Sequence, residues 1–199
     1  MSEPEVPAMP FFPSLPENAN VRTIFAMAAE DRFHGWHDFS EHLMREDSPF
    51  SLQERELIAG YVSGVNACEY CHGVHSQVAI ALGFPEDGFV KLMEDVDGSG
   101  VDEKIKPVLK FVRKLTLTPS NMVQDDADKV FAAGWSERAL HDAVTVCAMF
   151  NFMNRMLDGH GIKGDPATFA QRGRMKAKIG YADRAPLNAD GKPEPAPAE

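Results

Sequence analysis

Apolar residues recur three and four positions apart along most of this chain, and alternation with a period of two is found nowhere. The pattern therefore predicts an all-α fold. A first short helix starts near Val21, capped by Asn20 or Asn18, with Ile24, Phe25, Met27 and Ala28 on its apolar face. A second covers about 31–46, with Phe33, Trp36, Phe39, Leu43 and Met44 at helical spacing, and Trp36 and Phe39 read as core. Ser51 followed by Glu54 is a capping box, and Leu57, Ile58, Tyr61, Val62 and Val65 give the helix behind it one buried face. Asn66 reads as a break and a new N-cap, and the next helix runs to about Gly83, with Pro85 beyond it. Further helices are expected over 87–94, 104–117 (Pro107 in its first turn), 125–133 (stopped by Gly134) and 137–158 (capped by Ser136), and a basic one over 168–178. The acidic stretch 95–100 resembles half a calcium loop but lacks the closing Glu, so it reads as a turn.

The domain organisation follows: a Pro-rich arm over 1–20, one helical domain over 21–165, and a short basic helix with a Pro-rich tail over 166–199. Five prolines keep the arm from being regular helix, and Phe11, Phe12 and Leu15 either strap it to a neighbouring surface or leave it free. The segment 143–153 is apolar on nearly every side, which marks a central or subunit-interface helix and predicts a homo-oligomer. Asn151, Asn154 and Arg155 interrupt it and either hydrogen-bond across that interface, the preferred reading, or line the pocket. Glu137-Arg138-Ala139-Leu140 echoes Glu54-Arg55-Glu56-Leu57 as a weak internal repeat.

The hairpin formed by the third and fourth helices concentrates the candidate chemistry. Cys68, Cys71 and His75 sit at i, i+3 and i+7, on one stripe of the fourth helix. If the two helices are antiparallel about Val65 and Asn66, the residue opposite His75 is Glu56. A neighbouring His and a helix N-terminus lower a thiol pKa, a carboxylate on the other imidazole nitrogen fixes its tautomer, and a second thiol one turn away resolves a sulfenic acid. That is the outline of a thiol peroxidase or disulfide reductase. The same residues allow other readings. Cys68-Glu69-Tyr70-Cys71-His72 is literally the haem-attachment pattern, a chemistry that needs export; zinc on Cys68, Cys71 and His75 or His72 lacks a second knuckle; a thioredoxin motif needs strands; and the thiols can simply be core. His34, His37 and His42 belong to a solvated or interface face, and Cys147 to the interior.

Composition narrows the choice. With 199 residues, 44% hydrophobic, the chain suffices for one core. A net charge of −10 argues against nucleic acid and anionic membrane as partners. The proline-rich start has no basic n-region and no run reaches membrane-spanning length, so a reducing, cytoplasmic location is expected, where a close Cys pair is catalytic rather than structural.

The spacing Glu, eleven residues, Cys-x-x-Cys, three residues, His resembles that of the AhpD-like alkylhydroperoxidases, a branch of the carboxymuconolactone decarboxylase superfamily. The flanks Glu54-Arg55-Glu56-Leu57-Ile58 and Cys68-Glu69-Tyr70-Cys71, with the later Phe150-Asn151-Phe152-Met153-Asn154-Arg155, are most similar to its uncharacterised peroxidase-related enzymes, over roughly 20–165. The resemblance implies a helical bundle with the Cys pair on a central hairpin. It further implies an oligomeric enzyme that reduces small hydroperoxides, with Cys71 peroxidatic, Cys68 its partner, Glu56 and His75 a proton relay, and an external dithiol as reductant. No cofactor or metal is needed. A second relay histidine of the family falls at Tyr70 here, and His72 lies about 100° around the helix from Cys71. A non-redox decarboxylase-like enzyme, and a metal- or haem-binding or structural module, are the alternatives.

Overall fold

In the computed structural model, residues 10–28, 33 and 35–181 are described. His34, the expected helix start at Asp31 and the tail from Pro186 lie outside them. The described residues form nine α-helices and no strand: α1 (Val21–Ala26), α2 (Trp36–Arg45), α3 (Leu52–Val65), α4 (Glu69–Ala81), α5 (Gly88–Glu94), α6 (Lys106–Leu117), α7 (Gln124–Ala132), α8 (Glu137–Gly159) and α9 (Pro166–Ile179).

The helix ends follow local chemistry. Asn20 caps α1 through Arg22, Ser51 and Glu54 form the reciprocal box that starts α3, Ser136 caps α8 and Asp165 caps α9. Asn66, expected to open α4, instead closes α3. Ala67 N–H donates to the Gly64 carbonyl and Cys68 N–H to the Ser63 carbonyl, a Schellman motif with Ala67 in the left-handed region at φ 55°. Cys68 then becomes the N-cap of α4. Gly83 takes up the positive φ after α4, as its position suggests.

α3 is the central element. It is buried from Arg55 to Ser63 and packs on α4, α8 and α6. One apolar cluster fills the space between α3, α6 and α8, with Ile58, Val62, Leu109, Val112, Val146 and Phe150 at its centre. A second cluster lies on the far side of α4 and contains Cys68, Cys71, Val74, Ile24, Leu157 and Phe169. Part of the proline-rich arm covers it: Leu15 and Ala19 are buried, Phe11 N–H donates to the His160 carbonyl, and Phe12 stacks on the His160 ring. The basic helix docks on its own chain, α9 lying against α4. Gly173 makes that possible, since a Cβ there would stand 2.4 Å from Gln77 Cβ and 2.8 Å from its carbonyl carbon.

Two expectations for α2 change. The helix begins only at Trp36, and Phe39, expected in the core, is 45% exposed. Its buried residues are Ser40 and Met44.

Candidate active site

The capping geometry of α4 brings the two cysteines together. Cys68 at the N-cap and Cys71 at N3 are the positions whose side chains face each other in a capping box, here with sulfur in place of oxygen and carboxylate. Cys68 is therefore not on the helical stripe that the spacing suggests, yet the thiols still interact. Both are free and buried, Cys68 completely. Cys68 makes a long contact of 3.9 Å to the Asn154 carbonyl, and Asn154 acts to lower the Cys71 thiol.

A turn or more further along α4, His75 meets Glu56 of α3, as the hairpin register predicts. His75 Nδ1 lies 2.7 Å from Glu56 Oε2. The other carboxylate oxygen, Oε1, accepts from Arg45 at the end of α2 and from the Tyr181 hydroxyl just beyond α9, both at 2.8 Å. The Tyr181 oxygen is also 3.1 Å from His75 Nδ1. Glu56 is wholly buried, and His75, with the edge of Phe150 against its ring, nearly so. Four elements thus converge on one carboxylate.

The electrostatics follow from burial and neighbours. Burial acts to raise Glu56, but the hydrogen bond and charge of His75, with Arg45 and Tyr181, hold it below the ordinary carboxylate value. Burial lowers His75, Glu56 only partly offsets this, and Lys176 and Arg45 add to the lowering. Because Arg45 is a permanent cation, the resting pair is a glutamate anion beside a neutral imidazole. Lys176 of α9, whose Nζ sits 4.0 Å over the Tyr181 ring, is brought down by burial to about 8. The expected lowering of the Cys71 thiol is not found: its contact with Cys68, followed by burial, pushes it well above the ordinary thiol value. Cys71 therefore rests as a thiol and reacts only if a base takes its proton.

The remaining candidates separate from this centre. Tyr70 is buried edge-on against Phe169, with Arg172 above it, and burial raises its hydroxyl to about 12. His72 binds the Gly60 carbonyl through Nδ1 at 2.8 Å and packs on Phe89, so it fastens α4 to α3. Cys147 is a buried thiol between Thr116 Oγ1 at 3.3 Å and the Val112 carbonyl at 3.6 Å. His42 is exposed and pairs with Glu46. Asn151 and Asn154, for which the sequence prefers an interface over a pocket lining, act within the chain: both accept from Asn66, and Asn154 donates to Ser63. The polar break in α8 was a signal, but it marks the floor of the site. Among the described residues no group of three or more His, Cys, Asp or Glu side chains is placed to hold a metal ion. None of their helices is long and apolar enough to cross a membrane.

Arg45, Tyr181 and Lys176 are site residues that the sequence did not reveal. Arg45 and Tyr181 reach Glu56 from outside the hairpin, where no spacing rule applies.

Comparison with known proteins agrees with the helical fold. Residues 30–96 match the family model of the carboxymuconolactone decarboxylase family. No curated protein matches the chain. Among solved structures, an uncharacterised peroxidase-related protein from Silicibacter sp. TM1040 is similar, with a TM-score of 0.66 and 25% identity over 78% of this chain and 80% of that one. The AhpD core of an uncharacterised peroxidase-related protein from Ralstonia eutropha JMP134 shares the fold at a TM-score of 0.66, with 21% identity over 72% of this chain and 75% of that one. The matched segment contains Glu56, both hairpin cysteines and His75, and the helices around it are similar in fold to these neighbours, so the likeness to the carboxymuconolactone decarboxylase family rests on this segment and on the shared helical fold.

Proposed function

We propose that this protein is a thiol-dependent peroxidase that reduces small hydroperoxides through Cys68 and Cys71. The observation that carries the reading is the pairing of two interacting free thiols at the start of α4 with a buried Glu56–His75 hydrogen bond on the same helix. His75 Nδ1 is engaged by Glu56, so Nε2 is the nitrogen that takes the Cys71 proton. The Cys71 sulfur then attacks the terminal peroxide oxygen. The O–O bond breaks, Cys71 becomes a sulfenic acid, and the departing alkoxide receives the proton from His75. Cys68 attacks the sulfenic sulfur, and a disulfide and water form. An external dithiol reduces that disulfide by exchange and leaves as its own disulfide.

The raised Cys71 thiol is the one observation favouring a non-redox relative, in which the pair stays reduced. A thiol count on native protein, before and after one equivalent of an organic hydroperoxide, separates the two. Loss of two thiols with Cys68 linked to Cys71 by mass spectrometry is expected, and loss of none would sink the peroxidase reading. Cys71→Ser should abolish turnover, by at least 10²-fold on the scale of a lost nucleophile. The homo-oligomer belongs to the same proposal: Phe39 and Phe152, 45% and 39% exposed, leave aromatic surface on α2 and α8 for a second copy. Light scattering of the purified protein tests it, and a strictly monomeric mass rejects it.

A further inference from the structure

We infer that Tyr181 is a positioning residue of the relay: its hydroxyl keeps the His75 proton on Nδ1 and so leaves Nε2 free to exchange protons with the thiol chemistry. The inference rests on the proposed peroxidase reading for its purpose, but its geometry stands independently of that reading.

The argument is a count of donors and acceptors. Glu56 Oε1 accepts from Arg45 and from Tyr181, each at 2.8 Å. A phenol has one proton, so once Tyr181 has given it to Oε1, only its lone pairs face His75 Nδ1 at 3.1 Å. Nδ1 then has two acceptors beside it, Tyr181 Oη and Glu56 Oε2 at 2.7 Å, and must itself carry hydrogen. In the opposite arrangement Tyr181 donates to a bare Nδ1. That sets the imidazole lone pair against a carboxylate oxygen at 2.7 Å in a buried site, and takes a donor away from Glu56.

The phenol is held for this purpose from several sides. Gly180 turns the chain at φ 75°, a backbone conformation that favours glycine, and a Cβ there would displace the Glu41 carboxylate, whose Oε2 lies 2.5 Å away. Tyr181 N–H donates to the same Glu41 carboxylate. Arg45 lies 4.8 Å over the Tyr181 ring, and the Tyr181 and His75 rings are parallel to within 5°. The charged and titratable groups that act on His75 are Glu56 from α3, Arg45 from α2, Lys176 from α9 and Tyr181 itself; Cys71 lies one turn away on α4, and α8 presents the uncharged Phe150. Burial and the Glu56 charge keep the Tyr181 hydroxyl protonated far above neutral pH, so it remains a donor throughout the working range.

Tyr181→Phe retains the ring and its cation contacts and removes only the hydroxyl. With one donor fewer, Glu56 concentrates its charge toward His75 and stabilises the imidazolium. The His75 titration should rise by about half a unit to one unit. The test is long-range proton–nitrogen NMR on ¹⁵N-histidine-labelled full chain, with His75→Gln to assign the signal. Wild type is expected to show neutral His75 solely as the Nδ1–H tautomer. In Y181F the midpoint should move up, the acid limb of the peroxidase profile should move with it, and kcat should fall about tenfold with KM little changed. An Nε2–H tautomer in wild type, or an unmoved midpoint in Y181F, overturns the inference. If Y181F does not fold, an Nε2–H tautomer in wild type still overturns the inference. Absent turnover with the Nδ1–H tautomer intact would count against the peroxidase reading and not against this one.

Discussion

Glu56→Gln preserves shape and removes one charge at the point where four elements meet. Gln offers one carbonyl oxygen and one NH₂ in place of two acceptor oxygens. Either the amide hydrogens face Arg45 and Tyr181, or they face His75 Nδ1; in each case donors meet donors unless a partner moves. Removing one partner of a buried ion pair costs about 3–5 kcal/mol. Arg45 retains the Met44 carbonyl at 2.9 Å and the Lys176 carbonyl at 3.2 Å, so the lower end of that range applies, about 3 kcal/mol. Against a total stability of about 5–15 kcal/mol this is a large fraction. It corresponds to a fall of roughly 6–12 °C in Tm for a chain of this size. Urea unfolding of both proteins at neutral pH, followed by circular dichroism, measures it as a shift of midpoint at constant slope. The variant should also lose turnover by about 10²–10⁴-fold, because an amide presenting NH₂ to Nδ1 moves the imidazole proton to Nε2 and removes the base. A stability loss below about 1 kcal/mol would show that the buried carboxylate does not hold these elements together.

Gly173→Ala forces α9 away from α4, because the added methyl meets the Gln77 backbone; a cost of about 1–3 kcal/mol is expected, and unchanged stability with unchanged activity would refute the close-approach argument. Lys176 supplies a pH signature. Its folded pKa, about 8, lies below the ordinary 10.5, so the unfolded chain holds the extra proton between these values and burial of the cation weighs on the fold below pH 8. The stability of wild type relative to Lys176→Met should therefore increase as pH rises from about 8 to 10.5, and a flat difference across that window would reject a buried cation. Ser51→Ala removes the cap that bonds Glu54 N–H at 3.2 Å and should cost about 1 kcal/mol by the same unfolding assay, with peroxidase turnover retained.

The all-helical bundle and its central hairpin were legible because caps and apolar spacing are local signals. The Ser51–Glu54 box and Gly83 bound the hairpin, and counting outward from its turn paired Glu56 with His75. The turn itself was read one step wrong. Nothing in the sequence marks Ala67, a residue with a Cβ, as left-handed, so Cys68 was placed inside α4 instead of at its cap. The acidity of Cys71 was misread for a different reason. Sequence shows that a histidine and a helix start are near; it does not show the Cys68 thiol set against the Cys71 sulfur, or how little water reaches it. Arg45 and Tyr181 were hidden by distance along the chain, Tyr181 lying 125 residues from the carboxylate it touches.

That distance gives the site a history. The Glu56–His75 contact spans 19 residues, and the Schellman turn closes it with little loop entropy, so it can arise as soon as the hairpin does. The Tyr181 contact spans 125 residues and forms only when α9 docks on α4. Until α9 docks, the hairpin carries its thiols, its histidine and its carboxylate, but the imidazole lacks the phenol that fixes its proton. Local opening of α9 would return the protein to that condition without unfolding the core, so the docking of α9 tunes the relay from a distance.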